Sequence, residues 1–327
     1  MCLYPRLVKN PKYRANKKNG GRVPPVLDER VRWVPIGCGK CMECRKQKAR
    51  EWQIRMSEEI KENKNGKFIT FTFSNESIIE LMGALEIKVK TKDKEKEKQV
   101  TENAVATLAV RRFLERWRRK YKRSVRHWLV TELGHEGTER IHLHGILWTD
   151  RTNEEIEERW GYGHIWVGDY VNEKTVNYVM KYVNKIDLKH KEYEPKILTS
   201  PGIGKGYMNR TDWKKNKYKG EETEDTYIYS NGTKAKLPIY YRNKIYTDEE
   251  REKLWLQLLD EEKRYILGQE ICIKDGEEDY YKILEVARMK NKRIGYGDDT
   301  KTWSMRDYAK ERERLNKMIT RDKGNNK

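Results

Sequence analysis

The chain has 327 residues, of which 71 are lysine or arginine and 52 are aspartate or glutamate, so its formal net charge is +19. Charged residues make up 38% of the chain, against about 25% in an average protein, and hydrophobic residues only 36%. No apolar run approaches the roughly 18 residues of a membrane-spanning helix, and no apolar signal-peptide core is visible. The composition therefore predicts a thin core surrounded by charge and excludes a membrane-spanning class.

The positive charge is concentrated in two segments. Residues 1–50 contain 14 basic and 3 acidic residues, and residues 111–126 contain nine basic residues and one acid. A pI near 9.5 with such clusters favours a polyanionic partner, with nucleic acid ahead of an anionic membrane surface. A solvated helix face is the alternative interpretation of the second segment. The candidate DNA contacts are Arg111, Arg112, Arg116, Arg118, Arg119 and, in a later glycine loop, Lys205.

Hydrophobic periodicity predicts both helices and strands. Apolar residues four apart indicate helices, and alternating apolar residues indicate strands. We expect, in chain order, a helix at 45–63, a strand at 68–73, a basic helix at 103–122, strands at 125–132 and 141–148, and a helix at 174–186. The lysine-rich, low-complexity residues 86–100 are interpreted as a mobile insertion. Thr247 and Glu250 form a capping box that predicts a later helix.

These elements predict an α+β fold with a central antiparallel sheet and flanking helices. The short polar connection between the strands at 125–132 and 141–148 favours a hairpin. We divide the chain into a basic N-terminal segment with a cysteine cluster (1–66), a central core (67–190) and a C-terminal accessory region (191–327). The functional site is expected on an exposed face of the sheet.

Two histidines, His142 and His144, alternate along the second strand of this hairpin. Alternate strand residues share a face, so both imidazoles point the same way. One register sets Glu132 directly across from His142, and a two-residue slip sets it opposite His144 on the same face. Two imidazoles and one carboxylate suit zinc, manganese or magnesium. His135 and Glu136 in the connection compete with Glu132 for the third position.

Residues 177–185 place two tyrosines on one side of the predicted helix. On a helical wheel, Tyr178, Tyr182, Lys181 and Lys185 share a face that lies away from the valines and the methionine. Residues four apart are neighbours, so both phenols can reach one reaction centre. A protonated phenol is a poor nucleophile, and adjacent ammonium groups favour the phenolate. The pattern therefore indicates attack by tyrosine on phosphorus, with a covalent phosphotyrosine as the product.

The spacing of the cysteines predicts a structural metal site near the N-terminus. Cys38, Cys41 and Cys44 form a Cys-x2-Cys-x2-Cys pattern, and Cys2 can supply a fourth thiolate. Four thiolates make a closed tetrahedral zinc site. Unligated reduced thiols and an iron–sulfur cluster are the other two interpretations. The odd total of five cysteines argues for a reducing compartment and against a disulfide framework, and Cys272 is interpreted as an ordinary thiol.

These motifs together resemble the HUH endonucleases, named for a His-hydrophobic-His strand. His142-Leu143-His144 matches that strand, residues 68–73 resemble the first β-strand motif, and Tyr178 with Tyr182 resembles the two-tyrosine motif. More narrowly, the chain is similar to replication initiation proteins of microviruses, in particular those of the gokushovirus-like group. The cysteine segment 38–45, residues 202–205 and residues 231–241 follow the order of that group.

The resemblance implies initiation of rolling-circle replication, with nicking of single-stranded origin DNA, attachment to the 5′ end and later rejoining. It implies an HUH/RRM-like core, Mg²⁺ or Mn²⁺ at the site, a host helicase or polymerase as partner, and the cytoplasm of a bacterial host as location. The ligands would be His142, His144 and Glu132, and the nucleophiles Tyr178 and Tyr182.

Two other functions are candidates on the sequence alone. A metal hydrolase built on His142, His144 and Glu132 would leave the tyrosine helix without a task. A non-enzymatic, zinc-containing nucleic-acid-binding protein would use its basic helices for phosphate contacts only. In a purely structural interpretation, the histidines are half-buried sheet residues and Glu132 pairs with an arginine.

Overall fold

The computed structural model describes residues 2–85, 94–134, 140–168, 170–188 and 193–297, with only the backbone for 94–101. Within these residues the fold is α+β, with eleven strands and eight helices. The strands are β1 (Arg6–Lys9), β2 (Trp33–Ile36), β3 (Gly66–Phe71), β4 (Arg126–Leu133), β5 (Ile141–Trp148), β6 (Ile165–Val167), β7 (Ile197–Thr199), β8 (Thr226–Ile228), β9 (Lys234–Lys236), β10 (Lys263–Ile266) and β11 (Gln269–Cys272). The helices are α1 (Met42–Glu62), α2 (Asn75–Leu85), α3 (Lys94–Tyr121), α4 (Asn153–Trp160), α5 (Glu173–Asn184), α6 (Ile239–Ile245), α7 (Asp248–Asp260) and α8 (Glu278–Arg293).

The chain divides into two compact units. The central unit is Lys48–Arg210, and the terminal unit combines Met1–Gln47 with Thr211–Lys327. Both ends of the chain thus contribute to one unit, whereas the sequence-based division placed them in separate regions. The boundary between the units falls inside α1.

The central unit is built on a five-stranded antiparallel sheet in the order β6-β3-β5-β4-β7. The predicted hairpin of β4 and β5 is confirmed, and β5 has the predicted ends, Ile141 and Trp148. Because β5 pairs on both sides and is covered on both faces, every residue of it except His142 is buried. The middle of the sheet is therefore a rigid support for the two histidines.

Helices cover both faces of this sheet. On one face, Leu129 and Leu143 belong to a core with the helices α2, α3 and α4. On the other face, Trp128, Val130 and Ile146 belong to a core with α1 and α5. The sequence analysis expected the site on an exposed sheet face. The structure instead places the predicted ligands on the face covered by α1 and α5, where β4 ends and β5 begins.

Gly145 lets β4 approach β5 closely, next to the second histidine. A Cβ atom at Gly145 would lie 2.0 Å from the carbonyl oxygen of Trp128, which no small adjustment of a side chain can relieve. We expect Gly145→Ala to lower the free energy of unfolding by about 3 kcal/mol or more, since overpacking against backbone forces the strands apart. Denaturant unfolding followed by circular dichroism measures this.

Gly83 provides the matched control for that substitution. It lies within α2, and a Cβ there would meet nothing within 4 Å. Gly83→Ala should therefore stabilise the protein by about 0.5–1 kcal/mol through helix propensity alone. Equal unfolding free energies for the two variants would contradict the close strand approach.

The terminal unit has its own apolar core, to which both ends of the chain contribute. Arg288 of α8 is buried and donates from Nε and Nη2 to the carbonyl oxygen of Leu3, at 2.9 and 2.8 Å. The backbone N–H of Met42 donates to Oδ1 of the fully buried Asn291, also on α8, at 2.8 Å. These contacts attach α8 to residues on both sides of the cysteine segment.

Several element boundaries differ from the predicted ones. Helix α1 begins at Met42, before the predicted residue 45, and α5 ends at Asn184, before Lys185. Residues 94–100, predicted to be a mobile insertion, are the first turns of α3, while 86–93 lie outside the described residues. The capping box of Thr247 and Glu250 is confirmed. Among the described residues, no helix has the length and apolar content needed to cross a bilayer.

Candidate functional site

The pairing of β4 with β5 brings the predicted metal ligands together. Glu132 pairs directly with His142, and Val130 pairs with His144, which is the first of the two registers considered from sequence. All three polar side chains therefore share one face of the hairpin. One ligand atom from each of Glu132, His142 and His144 lies within 4.8 Å of the others. The competing candidates His135 and Glu136 lie outside the described residues.

The electrostatics of this group suit a metal ion. The Oε2 atom of Glu132 lies 2.9 Å from Nε2 of His144, and its Oε1 atom bonds the ammonium of Lys185. Burial opposes ionisation of Glu132, but the hydrogen bonds from His144 and Lys185 outweigh it and lower the pKa of the carboxyl. Burial, together with the charge of His144, lowers the pKa of His142. An ionised carboxylate and a neutral imidazole are the protonation states that bind metals.

Thr70 of β3 contacts the far side of His144 and was not identified from the sequence. Its Oγ1 atom lies 3.0 Å from Nδ1 of His144, because Thr70 and His144 are directly paired across β3 and β5. A partner at Nδ1 fixes the ring orientation and leaves Nε2 as the ligand atom. The alternation in residues 68–73 could have placed Thr70 on this face, but only with the pairing of β3 and β5 already known.

We expect Thr70→Val to weaken divalent metal binding about 10- to 100-fold, as is usual when a partner of a ligating histidine is lost. Isothermal titration with Mn²⁺ measures the affinity. Thr72→Val is the matched control, because the Thr72 hydroxyl bonds the carbonyl oxygen of His164 at 2.6 Å and no ligand. An unchanged Mn²⁺ affinity in Thr70→Val would show that the contact does not orient His144.

The paired tyrosines lie on α5, whose start is fixed by a capping box of Asn172 and Thr175. The apolar side of α5 is buried against the sheet through Val176, Val179, Met180 and Val183. The ring of Tyr182 stacks on the imidazole of His144, with centroids 4.2 Å apart and planes 5° from parallel. The Tyr182 hydroxyl donates to the Tyr178 hydroxyl at 2.8 Å. Both phenol oxygens are thus held beside the Glu132, His142 and His144 group.

The two lysines of the tyrosine helix have different contacts. Lys185 bonds Glu132, and the ammonium of Lys181 lies 5.3 Å from the centroid of the Tyr178 ring. Burial, together with the hydrogen bond to Tyr178, raises the pKa of Tyr182. The sequence analysis expected ammonium groups to favour phenolates. At Tyr182 the opposite holds in this structure, where the hydroxyl is protonated and acts as a donor.

A comparison with protein families classifies the part of the chain that carries this site. The sequence model of the Replication-associated protein ORF2 family matches residues 66–187. This segment is a member of that family. The replication-associated segment, as we call residues 66–187, contains the three candidate metal ligands and both tyrosines. No curated protein and no solved structure gives a significant match to the chain.

Outside the replication-associated segment, the cysteines form a second group that could hold a metal. The Sγ atoms of Cys2, Cys38, Cys41 and Cys44 all lie within 4.8 Å of one another. The distance is 3.9 Å between Cys2 and Cys41 and 4.0 Å between Cys38 and Cys44. Zinc–sulfur bonds of about 2.3 Å in a tetrahedron separate the sulfurs by about 3.8 Å. Backbone N–H groups of Tyr4, Cys38 and Cys41 donate to these sulfurs, which favours thiolates.

The candidate DNA-contact residues of α3 lie away from this site. Helix α3 packs on the opposite face of the sheet, in the core with α2 and α4. Arg116 is engaged inside the protein, since its Nε donates to the carbonyl oxygen of Arg159 at 2.8 Å and its Nη1 to Tyr162 at 2.9 Å. Arg118 and Arg119 are exposed near the end of α3.

The remaining candidates have acidic neighbours or lie in a structural loop. Arg112 lies 3.1 Å from Glu80, and Arg111 lies 3.8 Å from Glu115. Lys205 is exposed in the glycine loop.

That glycine loop binds a carboxylate of the protein itself. The Gly204 N–H donates at 2.7 Å to Oε2 of Glu59, which is fully buried and also bonds Arg126. The loop is therefore part of the internal packing, in agreement with its poor fit to a nucleotide-binding motif.

Proposed function

We propose that this chain initiates rolling-circle replication by nicking and rejoining one strand of single-stranded origin DNA. The observation that supports this most strongly is the stacking of Tyr182 on His144, which joins a phenol pair to a candidate metal group. Membership of residues 66–187 in a family of replication-associated proteins supports the same process. The net charge of +19 suits a DNA substrate.

In this proposal Glu132, His142 and His144 hold a divalent metal ion. Their mixture of one carboxylate and two imidazoles fits Mn²⁺, and with added water ligands Mg²⁺. When bound, such an ion polarises the scissile phosphate and offsets the charge that develops on its oxygens. Lys185 holds the carboxylate of Glu132, and Thr70 orients the ring of His144.

Either Tyr178 or Tyr182 then acts as the nucleophile. Its phenol oxygen forms a bond to phosphorus while the bond between phosphorus and the 3′ oxygen breaks. The phenolic proton ends on that oxygen, which leaves a 3′ hydroxyl and a 5′ phosphotyrosine. Attack by an incoming 3′ hydroxyl reverses the step and rejoins the strand. Lys181, beside the ring of Tyr178, adds positive charge near the phosphate.

The distance between the hydroxyls gives the second tyrosine its role. Because they lie 2.8 Å apart, a phosphate aligned with one phenol is also close to the other. One tyrosine can therefore hold a cleaved 5′ end while the other attacks the next copy of the origin. A host polymerase and helicase would extend the released 3′ end, in the cytoplasm of a bacterial cell. The four cysteines would hold a structural zinc ion.

Incubation with labelled single-stranded origin DNA and Mn²⁺ or Mg²⁺ tests the proposal. We expect a covalent protein–DNA adduct that survives a denaturing gel and disappears with a chelator. Mass spectrometry of the digested adduct should place the nucleotide on Tyr178 or Tyr182. The absence of an adduct with every metal would favour the non-enzymatic binding protein, and metal-dependent cleavage without an adduct would favour the hydrolase.

A further inference from the structure

The outer strand β6 carries an exposed aromatic side chain on the same face as the site. Trp166 pairs directly with Thr70 of β3, and Thr70 pairs on its other side with His144 of β5. Directly paired residues of antiparallel strands share a face, so these three side chains form a row across the sheet. Trp166 is 54% exposed, while His144 is buried.

The indole of Trp166 is held in place by its neighbours. Its ring packs edge-on against Phe68, with centroids 5.4 Å apart. Phe68 in turn packs edge-on against Tyr178, with centroids 5.7 Å apart. A Cβ atom on Gly168 would lie 3.1 Å from the indole, so the absence of a side chain there leaves room for the ring. Aromatic contacts therefore connect the outer strand to one of the two candidate nucleophiles.

The neighbouring part of α5 is positively charged. Lys174 and Lys181 are exposed and lie four residues before and three residues after Tyr178, which places them on its side of the helix. An exposed, fixed aromatic ring beside cationic side chains is the combination that binds single-stranded nucleic acid, where bases stack and phosphates meet ammonium groups. An apolar protein partner would gain nothing from these lysines.

We propose that Trp166 is a stacking site for a base of the single-stranded DNA that flanks the nicked phosphate. This inference rests on the proposed function and adds to it a binding residue on β6. The base stacks on the exposed indole, while Lys174 and Lys181 contact phosphates of the same strand. The contact positions the strand between the outer edge of the sheet and the phenol of Tyr178.

Binding measured without metal, by fluorescence anisotropy of a labelled origin oligonucleotide, tests this independently of cleavage. Trp166→Ala should raise the Kd roughly 5- to 150-fold, the usual range for one lost stacking contact. Trp166→Phe should restore most of the affinity, whereas Trp166→Leu, apolar but unable to stack, should not. Because no phosphate contact is lost, the salt dependence of Kd should keep its slope in Trp166→Ala. Lys174→Gln with Lys181→Gln should reduce that slope.

A scan of single abasic positions in the oligonucleotide identifies the stacked base. At one position the abasic change should weaken wild-type binding but leave Trp166→Ala unaffected, which is the signature of a direct pair. If the wild type forms the adduct and Trp166→Ala binds DNA equally well, the stacking site is wrong and the proposed function stands. A change in oligomeric state with unaltered DNA affinity would also overturn it, by assigning β6 to protein association. If the wild type binds origin DNA without forming an adduct, only the proposed nicking fails.

Discussion

We expect the double substitution Tyr178→Phe with Tyr182→Phe to abolish the covalent adduct, with a loss of strand cleavage of roughly 10⁴-fold or more, as for removal of other nucleophiles. Each single substitution should reduce the adduct, since the remaining hydroxyl lies within 2.8 Å of the one removed. The rings stay in place in all three variants, so the stacking on His144 is preserved. A denaturing gel with labelled DNA measures the adduct.

Tyr121→Phe is the control for this series. Its hydroxyl bonds Glu155 at 3.1 Å, and its ring packs in the core on the opposite face of the sheet. It should therefore leave adduct formation unchanged. The double variant should bind origin DNA and unfold at close to the wild-type denaturant concentration. An adduct that persists in the double variant would mean that another residue is the nucleophile.

We expect Cys41→Ser to remove one bound zinc ion per chain and to lower the free energy of unfolding by about 3 kcal/mol or more, because structural zinc contributes directly to folding. Cys41 is fully buried, and its Sγ lies 3.9 Å from that of Cys2. Zinc content by atomic emission and thermal unfolding by circular dichroism measure the two effects.

Cys272→Ser is the matched control, because Cys272 is exposed and lies outside the cluster. It should keep both the zinc and the stability of the wild type. Wild-type protein without zinc and with four freely titrating thiols would leave the unligated interpretation, and visible absorbance with bound iron would indicate an iron–sulfur cluster.

The part of the site that follows from local periodicity could be predicted from the sequence. The alternation of His142 and His144 and the polar connection before them determine a hairpin in which Glu132 shares their face. The four-residue spacing of Tyr178 and Tyr182 likewise determines one side of a helix. These patterns depend only on the two- and 3.6-residue repeats of the backbone.

The part that depends on distant pairing could not be predicted. Thr70 meets His144 only because β3 pairs with β5, and Arg288 meets Leu3 only because α8 packs on the N-terminal segment. The basic residues of α3 show a related limit. A charge pattern marks the solvent side of a helix, but it does not reveal which face of the sheet that helix covers, and Arg116 is engaged with Arg159 and Tyr162.

The attachment of α8 to Leu3 and Met42 has a consequence for synthesis of the protein. At about 5–20 residues per second, a ribosome needs about ten seconds to a minute to make the chain between Cys44 and the end of α8. During that interval the N-terminal thiols lack their final apolar neighbours on α8. The strands and helices of the central unit all emerge before α8. The nascent cysteine segment therefore depends on reducing conditions or early metal capture to escape oxidation.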